Sequence, residues 1–339
     1  MVYCQTFFCR LYGEIMHTLL VFNPNAGQAE ALESELAAAA AVWREAGWQV
    51  EVQPTLAAGD GQRLARLAAE QGYDLVVAAG GDGTINEVIN GLVGSRTALA
   101  PLPLGTMNVW ARELRLPLQP RAAAMAILDW EPHAIDLGRA GDRYFLLMAG
   151  IGFDAAITAG VRPAEKRRFG ALAYVWRGIG QALSVRGARA RLTLDGRPIR
   201  GRVLMVVVGN TQLYGGLVKI THRACINDGL LDVCVIKGEN GLSALRSFFA
   251  ILSRRQGHDP EIQYYRARVL TVAARPPLPV QVDGDPIGFT PMTFEVAPGA
   301  LRALLPPDLP EDLLQQKPAL EASTSPGRRR RLSWRFGRS

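Results

Sequence analysis

An apolar run that ends in a cluster of glycines constrains the fold of this chain more than any other feature. The run Leu75–Ala79 leads into Gly80–Thr84, and apolar residues then recur at helical spacing from Ile85. This pattern predicts a buried strand, a tight turn and a helix in direct succession. Glycines let the backbone approach a ligand closely, and the free N–H groups at a helix start favour a phosphate.

Two side chains refine this interpretation of the turn. Thr84 and Glu87 have the spacing of a capping box, which predicts that the helix begins at Thr84. Asp82 places a carboxylate where phosphates are expected, and two neighbouring anions need a cation between them. The turn therefore indicates a nucleotide with Mg²⁺. A plain strand-to-helix turn with a surface aspartate stays open as the alternative.

Composition limits the classes of protein to which the chain can belong. It has 339 residues, of which 48% are hydrophobic and 20% charged, which is ordinary for one or two soluble domains. Four cysteines without CxxC spacing and four scattered histidines predict a reducing compartment and no zinc site. Six arginines in the last eighteen residues account for +6 of the net charge of +7, which leaves +1 for the body. A nearly neutral body argues against a nucleic-acid partner.

The order of the predicted elements divides the chain. Residues 1–16 lack helix or strand periodicity, and we expect Met16 to be the true start of translation. Strands and helices alternate over 17–133, which predicts a parallel sheet with helices on both faces. Short strands dominate 134–298, with turns at Asp195-Gly196 and Asn227–Gly229 and helical patterns at about 170–183 and 241–252. This pattern predicts a largely antiparallel β domain and a cleft between two lobes. Residues 307–339 are expected to be a disordered basic tail.

Other nucleotide and hydrolase motifs fit poorly. Gly150–Ala155 matches the pattern G-x-G-x-x-A, but the acidic residue that a dinucleotide site needs about 20 positions later is replaced by a helix-like segment at 170–174. The chain also contains neither a GxxxxGK[ST] loop nor a G-x-S-x-G elbow. Rossmann, P-loop and serine hydrolase chemistry are therefore unsupported.

Four segments in order carry a resemblance to a known family. Asn23–Gly27, Gly80–Thr84, Pro103–Asn108 and Ala149–Asp154 resemble the motifs of the diacylglycerol kinase catalytic family, which includes sphingosine, ceramide and bacterial lipid kinases. The resemblance covers about residues 17–305. It implies an α/β N-terminal nucleotide-binding lobe like that of NAD kinases and phosphofructokinases, and a C-terminal lobe that is a largely antiparallel β-sandwich. It also implies that residues 299–306 return to the first lobe.

The resemblance assigns most of a site. The residues that it places at ATP are Asn23, Asn25, Gly27, Thr55, Gly80, Gly81, Asp82, Gly83, Thr84, Ile85, Asn86 and Thr106. It places Mg²⁺ at the carboxylate of Asp228 with the backbone carbonyls of Cys225 and Leu230, an oxygen donor set that this cation prefers. The alternative for Asp228 is an aspartate that stabilises an Asn-Asp-Gly turn.

Asp285 is the predicted general base, with Asp82 as the second catalytic carboxylate. The family commonly has Asp-Gly-Glu where this chain has Asp283-Gly-Asp285, so the carboxylate is kept but shortened by one methylene. In phosphoryl transfer a carboxylate orients the attacking hydroxyl. The alternative is that 283–285 is only a β-turn between strands at 280–282 and 293–296.

The predicted function is an ATP- and Mg²⁺-dependent lipid kinase that acts on diacylglycerol, phosphatidylglycerol or a sphingoid lipid. Its expected place is the cytoplasm, peripheral to the inner face of the cytoplasmic membrane. Arginines and aromatic residues in 162–176 and 328–336 are candidates for contact with an anionic membrane surface. A homodimer stays open as an assembly. An NAD kinase-like soluble kinase and a non-catalytic nucleotide-binding regulator remain the alternatives.

Overall fold

The computed structural model describes residues 15–24, 29–152, 186–216, 218–240, 243, 246–247, 250–251, 259–310 and 312–315. Several predictions fall outside these residues. They are the ATP contacts Asn25 and Gly27, the basic segment 162–176, the helix at 170–183, most of the helix at 241–252, and the tail from 316.

The first lobe is the parallel α/β unit that the alternating pattern predicts. Its strands are β1 (His17–Phe22), β2 (Gln49–Pro54), β3 (Leu75–Gly80) and β4 (Ala98–Pro103). All four pair in parallel in the order β2-β1-β3-β4. The helices are α1 (Ala29–Glu45), α2 (Asp60–Glu70), α3 (Asp82–Leu92), α4 (Val109–Glu113) and α5 (Pro120–Ile127). Every residue of β3 and β4 is buried, as expected for central strands that are covered on both faces.

Helix pairs cover this sheet, with α1 against α5 and α2 against α3. Trp43 of α1 is fully buried, and its indole N–H donates to the carbonyl of Ala124 in α5 over 3.0 Å. This bond satisfies the polar atom of a large apolar side chain, so the indole can be buried without leaving a donor unpaired. Because the four strands are parallel, their carboxyl ends lie at one edge of the sheet.

The second lobe is the predicted, largely antiparallel sandwich. Its strands are β5 (Glu131–Ala140), β6 (Arg143–Phe145), β7 (Met148–Gly152), β8 (Ala188–Leu194), β9 (Arg197–Gly209), β10 (Leu213–Tyr214), β11 (Val218–Lys219), β12 (Leu231–Lys237), β13 (Ile262–Ala267), β14 (Val269–Arg275), β15 (Pro279–Val282), β16 (Asp285–Phe289) and β17 (Met292–Leu305). Phe145 and Phe294 are fully buried in its core. Asp195 and Gly196 both have positive φ, and they form the predicted hairpin turn between β8 and β9.

Strand β16 corrects the turn interpretation of 283–285. The turn at Asp283 and Gly284 joins β15 to β16, and not 280–282 to 293–296. The sequence 285–289 contains a proline and a glycine, and both residues have a low strand propensity, so local pattern does not predict a strand here. Because β16 pairs only with β15 among the described strands, it is an edge strand and tolerates both residues. Asp285 is therefore the first residue of an edge strand.

Strand β17 connects the two lobes. Its residues 292–295 pair antiparallel with β14, and Arg302–Ala303 pair in parallel with β4 of the first lobe. Its pairing with β5 shifts register between Ala297 and Leu301, and Gly299 there has φ of 59°. Only a residue that tolerates positive φ fits this break without strain. The sheets of both lobes are joined through β5 and β17. Within the described part of the chain, no helix is long and apolar enough to cross a membrane.

Candidate active site

The glycine turn lies where β3 meets α3, at the carboxyl edge of the parallel sheet. Helix α3 starts at Asp82 with Gly81 as its N-cap, so the predicted capping box of Thr84 and Glu87 is wrong. The backbone N–H groups of Thr84 and Ile85 bond to the carbonyl of Gly81. The helix thus begins two residues earlier than the side-chain pattern suggests. Its N-cap, Gly81, has an extended backbone and makes no side-chain hydrogen bond.

Glu87 has a different partner. Its carboxylate oxygens accept the backbone N–H groups of Gly59 and Gly61, each over 2.9 Å, at the start of α2. An acidic side chain is favourable at a helix N-terminus, where N–H groups lack internal partners. Glu87 thus fixes α2 to α3, and with them the loop that follows β2.

The second glycine turn packs directly against the first. A Cβ atom on Gly105 would lie 2.4 Å from the Cα atom of Gly81, so backbone meets backbone here. The side chain of Asn108 holds the turn, since its Oδ1 accepts the N–H of Gly105 and its Nδ2 donates to the carbonyl of Gly105. Asp82 Oδ1 accepts the backbone N–H of Trp110 over 3.2 Å. These contacts bring Asp82 and Thr106 to one edge.

The remaining predicted ATP contacts that the structure describes lie at the same edge. Asn23 follows β1, and its N–H bonds to the carbonyl of Ala79 in β3. Thr55 follows β2, and its N–H bonds to the carbonyl of Phe22. The carboxyl ends of the four parallel strands therefore carry Asn23, Thr55 and both glycine turns. Open α/β sheets bind ligands at these strand ends.

Replacement of Gly105 by Ala tests this close approach. The atom nearest to the added Cβ is backbone, the Cα atom of Gly81, which cannot move aside as a side chain can. We therefore expect the free energy of unfolding to fall by about 1–3 kcal/mol and nucleotide affinity to fall with it. Urea unfolding and nucleotide titration measure both. Gly201→Ala is the matched control, because its nearest contact is the Cε atom of Lys237 at 3.7 Å. Equal, wild-type behaviour of both variants would contradict the tight packing of the turns.

Asp283 accepts four hydrogen bonds at the lobe interface. Its carboxylate accepts the backbone N–H groups of Leu146, Leu147 and Met148 over 2.8–3.0 Å, and the Nδ2 group of Asn86 over 2.9 Å. Burial raises the pKa of Asp283 to about 6, against the effect of these four donors, which lower it. Sequence reasoning missed this role, because the partners lie more than a hundred residues away.

Asn86 and Arg143 extend this contact to the predicted base. Asn86, which is fully buried on α3, accepts two bonds at its Oδ1 from Arg143, over 3.1 and 2.8 Å. The Nη2 atom of Arg143 also lies 3.0 Å from Oδ2 of Asp285. The side chain of Asp285 is 51% exposed, so it faces the open side of the interface. The structure therefore connects Asn86 of α3 with Asp285 of the second lobe through Arg143.

The predicted metal ligands form a separate cluster at the break of β17. Asp136 accepts the N–H groups of Gly229 and Gly299 over 2.7 and 2.8 Å, which ties the Asn-Asp-Gly turn to that break. Asp228 Oδ1 accepts the N–H of Leu230, and its Oδ2 forms an ion pair with Arg266. No group of three His, Cys, Asp or Glu side chains suited to a metal occurs among the described residues.

The donors at Asp228 still suit Mg²⁺, because one carboxylate and two backbone carbonyls provide only oxygen. The guanidinium of Arg266 also bonds Asp232 Oδ2 through its Nε over 3.2 Å. A cation at Asp228 would take the place of one Arg266 contact and leave the other. The pKa of Asp232 is raised to about 6, and burial is the largest cause. The Sγ of Cys225 donates to the carbonyl of Asp312, so only its backbone fits the predicted role.

Glu113, at the end of α4, makes another contact between the two lobes, and sequence reasoning missed it. It is 6% exposed, and its carboxylate accepts the backbone N–H groups of Gln212 and Leu213 over 2.8 and 3.1 Å. Burial raises the pKa of Glu113 to about 7 from its ordinary value of 4.5. Helix α4 begins at the turn that holds Asp82, so Glu113 links this turn to the second lobe.

This raised pKa predicts a pH dependence of stability. The folded state holds a proton on Glu113 that the unfolded state releases near pH 4.5, so the stabilisation is complete below that pH and is lost as the pH rises through about 7. The total is about 3 kcal/mol, of which about 1 kcal/mol is lost between about pH 6.5 and about pH 8.5. Urea unfolding should show a shallower decline over this interval for Glu113→Gln. Identical slopes would contradict the assignment.

Family comparisons agree with this arrangement of lobes. The family described as "Diacylglycerol kinase catalytic domain" matches residues 17–140, and the family described as "YegS C-terminal NAD kinase beta sandwich-like domain" matches residues 148–305. A crystal structure of a diacylglycerol kinase from Bacillus anthracis str. Sterne superposes with a TM-score of 0.72 at 26% identity, over 87% of this chain and 98% of that chain.

Curated relatives point the same way. A protein of Pseudomonas aeruginosa PAO1 named "Probable lipid kinase YegS-like" is 37% identical over 85% of this chain and 95% of its own length. The protein named "Diacylglycerol kinase" of Bacillus subtilis is 30% identical over 87% of this chain and 98% of its own length. The α/β lobe, the β-sandwich and these relatives together define the class of protein as a kinase. This chain belongs to the diacylglycerol kinase family, with YegS-like lipid kinases among its relatives.

Proposed function

We propose that this protein is an ATP- and Mg²⁺-dependent kinase that transfers the γ-phosphate to a hydroxyl of a membrane lipid, such as diacylglycerol, phosphatidylglycerol or a sphingoid lipid. The observation that carries the proposal is the chain of bonds from Asn86 through Arg143 to Asp285. These bonds support the proposal because they link the Asp285 carboxylate of the second lobe to Asn86 of α3 in the first. The relatives named as lipid kinases support the choice of acceptor.

In this proposal the glycine turn and the start of α3 hold the phosphates of ATP. The turn offers the N-terminus of a helix eleven residues long, where the positive end of the helix dipole lies. The glycine at position 105 lets the second turn approach without a side chain between them. Mg²⁺ bound with ATP would neutralise phosphate charge beside Asp82, and a second ion would stabilise the turn at Asp228.

Asp285 acts on the lipid hydroxyl. Its exposed carboxylate accepts the hydroxyl proton as the oxygen attacks the γ-phosphorus, and the bond to the bridging oxygen of ADP breaks. Arg143 holds the Asp285 side chain through an ion pair of 3.0 Å. Asp283 fixes the turn that carries Asp285 through its four hydrogen bonds. The proposed location is the cytoplasm, peripheral to the inner face of the membrane.

The test is transfer of labelled γ-phosphate from ATP to a panel of acceptors in mixed micelles. The panel contains diacylglycerol, phosphatidylglycerol, sphingosine and ceramide, with NAD as a soluble acceptor. We expect a labelled lipid from the wild type and a loss of at least about 100-fold with Asp82→Asn. Labelled NADP would establish the soluble-kinase alternative instead. ATP binding without any labelled acceptor would favour a non-catalytic regulator.

A further inference from the structure

Five exposed arginines lie side by side on the outer face of the β-sandwich. In the sheet register Arg189 of β8 is opposite Arg202 of β9 and also opposite Arg275 of β14. Arg191 of β8 is opposite Arg200 of β9. All five are exposed. We refer to these five residues, on three adjacent strands, as the arginine patch.

Strand alternation explains why these side chains share one face. Ala188, Ala190 and Leu192 of β8 are buried in the core of the sandwich. The residues between them, Arg189 and Arg191, therefore project from the opposite face. A cross-strand neighbour lies on the same face as the residue opposite it, so the three partner arginines project the same way.

The patch is poorly neutralised. Among the residues that the structure describes, Glu239 is the acidic partner of the five, at 3.7 Å from Arg202, and its side chain is 75% exposed. The positions that continue the same face beside the patch are uncharged, namely Thr193, Pro198, Thr271 and Ala273. Like charges directly opposite each other destabilise a sheet. This arrangement is therefore costly for folding alone, and an anionic partner would offset the cost.

We propose that the arginine patch docks the protein on an anionic lipid bilayer. The inference rests on the proposed function, because a lipid kinase must reach a bilayer to find its substrate. Guanidinium groups bind phosphate through paired N–H donors, and the patch lies on a sheet face rather than in a cleft. A nucleic acid suits it less well, because the chain without its last eighteen residues carries a net charge of only +1.

Strand β9 connects the patch to the catalytic turn. It runs from Arg200 and Arg202 to Gly209, which pairs with Met148, and the N–H of Met148 bonds to Asp283. Seven residues from Arg202 to Gly209 correspond to about 23 Å of strand. The patch is thus an anchor at a distance from the chemistry. Its loss should weaken binding to the bilayer and leave phosphate transfer in detergent micelles unchanged.

The experiment compares two triple variants of the full chain by vesicle sedimentation at low salt. The patch variant is Arg189→Gln with Arg191→Gln and Arg200→Gln. The matched control is Arg66→Gln with Arg96→Gln and Arg121→Gln, which are exposed arginines of the first lobe and change the net charge equally. Vesicles contain phosphatidylglycerol with phosphatidylcholine, or phosphatidylcholine alone. We expect the patch variant to lose about fivefold in partitioning per arginine on anionic vesicles, and the control to lose much less.

Each outcome of the vesicle experiment either supports or overturns docking by the arginine patch. Equal losses in both variants would show an effect of net charge alone and overturn it, as would binding by the patch variant at the wild-type level. Loss of binding to a duplex oligonucleotide, with vesicle binding retained, would assign the patch to nucleic acid and also overturn it. Patch-specific vesicle binding by a protein that phosphorylates no lipid would support docking and refute the proposed function. Thermal unfolding checks that both variants fold.

Discussion

Replacement of Asp285 by Asn will reduce the turnover number for lipid phosphorylation by about 10²–10⁴-fold, the range that removal of a general base produces. The affinity for ATP should change little, because Asp285 lies on the second lobe and is connected through Arg143 to Asn86 of α3. Steady-state kinetics in mixed micelles gives the turnover number, and nucleotide titration gives the dissociation constant.

Two further variants sharpen this test. Asp142→Asn is the matched control, because it removes an exposed carboxylate beside Arg143 that takes no part in the network. Asp285→Glu keeps the carboxylate on a side chain that is one methylene longer and should keep measurable turnover. Near-normal turnover of Asp285→Asn would remove Asp285 from the mechanism and leave Asp82 as the candidate.

Replacement of Asp283 by Ala will reduce the free energy of unfolding by about 3–5 kcal/mol. The change leaves three backbone N–H groups without their acceptor, and the Asn86 amide keeps only the carbonyl of Tyr144. Each unsatisfied buried donor costs about 1–3 kcal/mol before relaxation. Urea unfolding at neutral pH measures the loss. Turnover should fall as well, because the Asn86 amide is held between Asp283 and Arg143.

Asp285→Asn is the control for this prediction, since it changes the same turn at an exposed position. We expect its unfolding free energy to stay within about 0.5 kcal/mol of the wild type. A similar small effect for Asp283→Ala would mean that water replaces the carboxylate, and it would contradict the structural role.

Local patterns in the sequence predict much of this fold. The strand before Gly80 and the helix after it are found from an apolar run, glycines and helical spacing, because all three act within a few residues. The hairpin turn at Asp195 follows from a residue pair that tolerates positive φ. The parallel pairing of the strands in the first lobe follows from alternating strands and helices of ordinary length.

Long-range contacts could not be predicted in this way. The spacing of Thr84 and Glu87 suggests a local cap, but the Glu87 carboxylate bonds to α2, 26 and 28 residues away. Asp283 resembled a turn residue, and its partners become visible only when β15 lies beside β7. The arginine patch likewise depends on strand register, since Arg189 and Arg275 are distant in sequence and adjacent in the sheet.

The candidate site likewise has a part that local sequence predicts and a part that depends on long-range contacts. Its phosphate-binding part is contiguous, so glycines and Asp82 indicate it directly. The part that would receive the lipid is assembled from residues of both lobes, and Arg143 had no local signal at all. The oxygen donors at Asp228 were assigned from a family resemblance, and the ion pair with Arg266 could not have been anticipated from spacing.

The most direct test of the central claim is the phase in which labelled phosphate is found after reaction. Wild type and Asp285→Asn are incubated with γ-labelled ATP, Mg²⁺ and diacylglycerol in mixed micelles, and the organic phase is counted and analysed by mass spectrometry. The account predicts a labelled phosphate monoester of the lipid from the wild type, and its loss with Asp285→Asn. Equal labelling by both proteins, or label found only in inorganic phosphate, would contradict it.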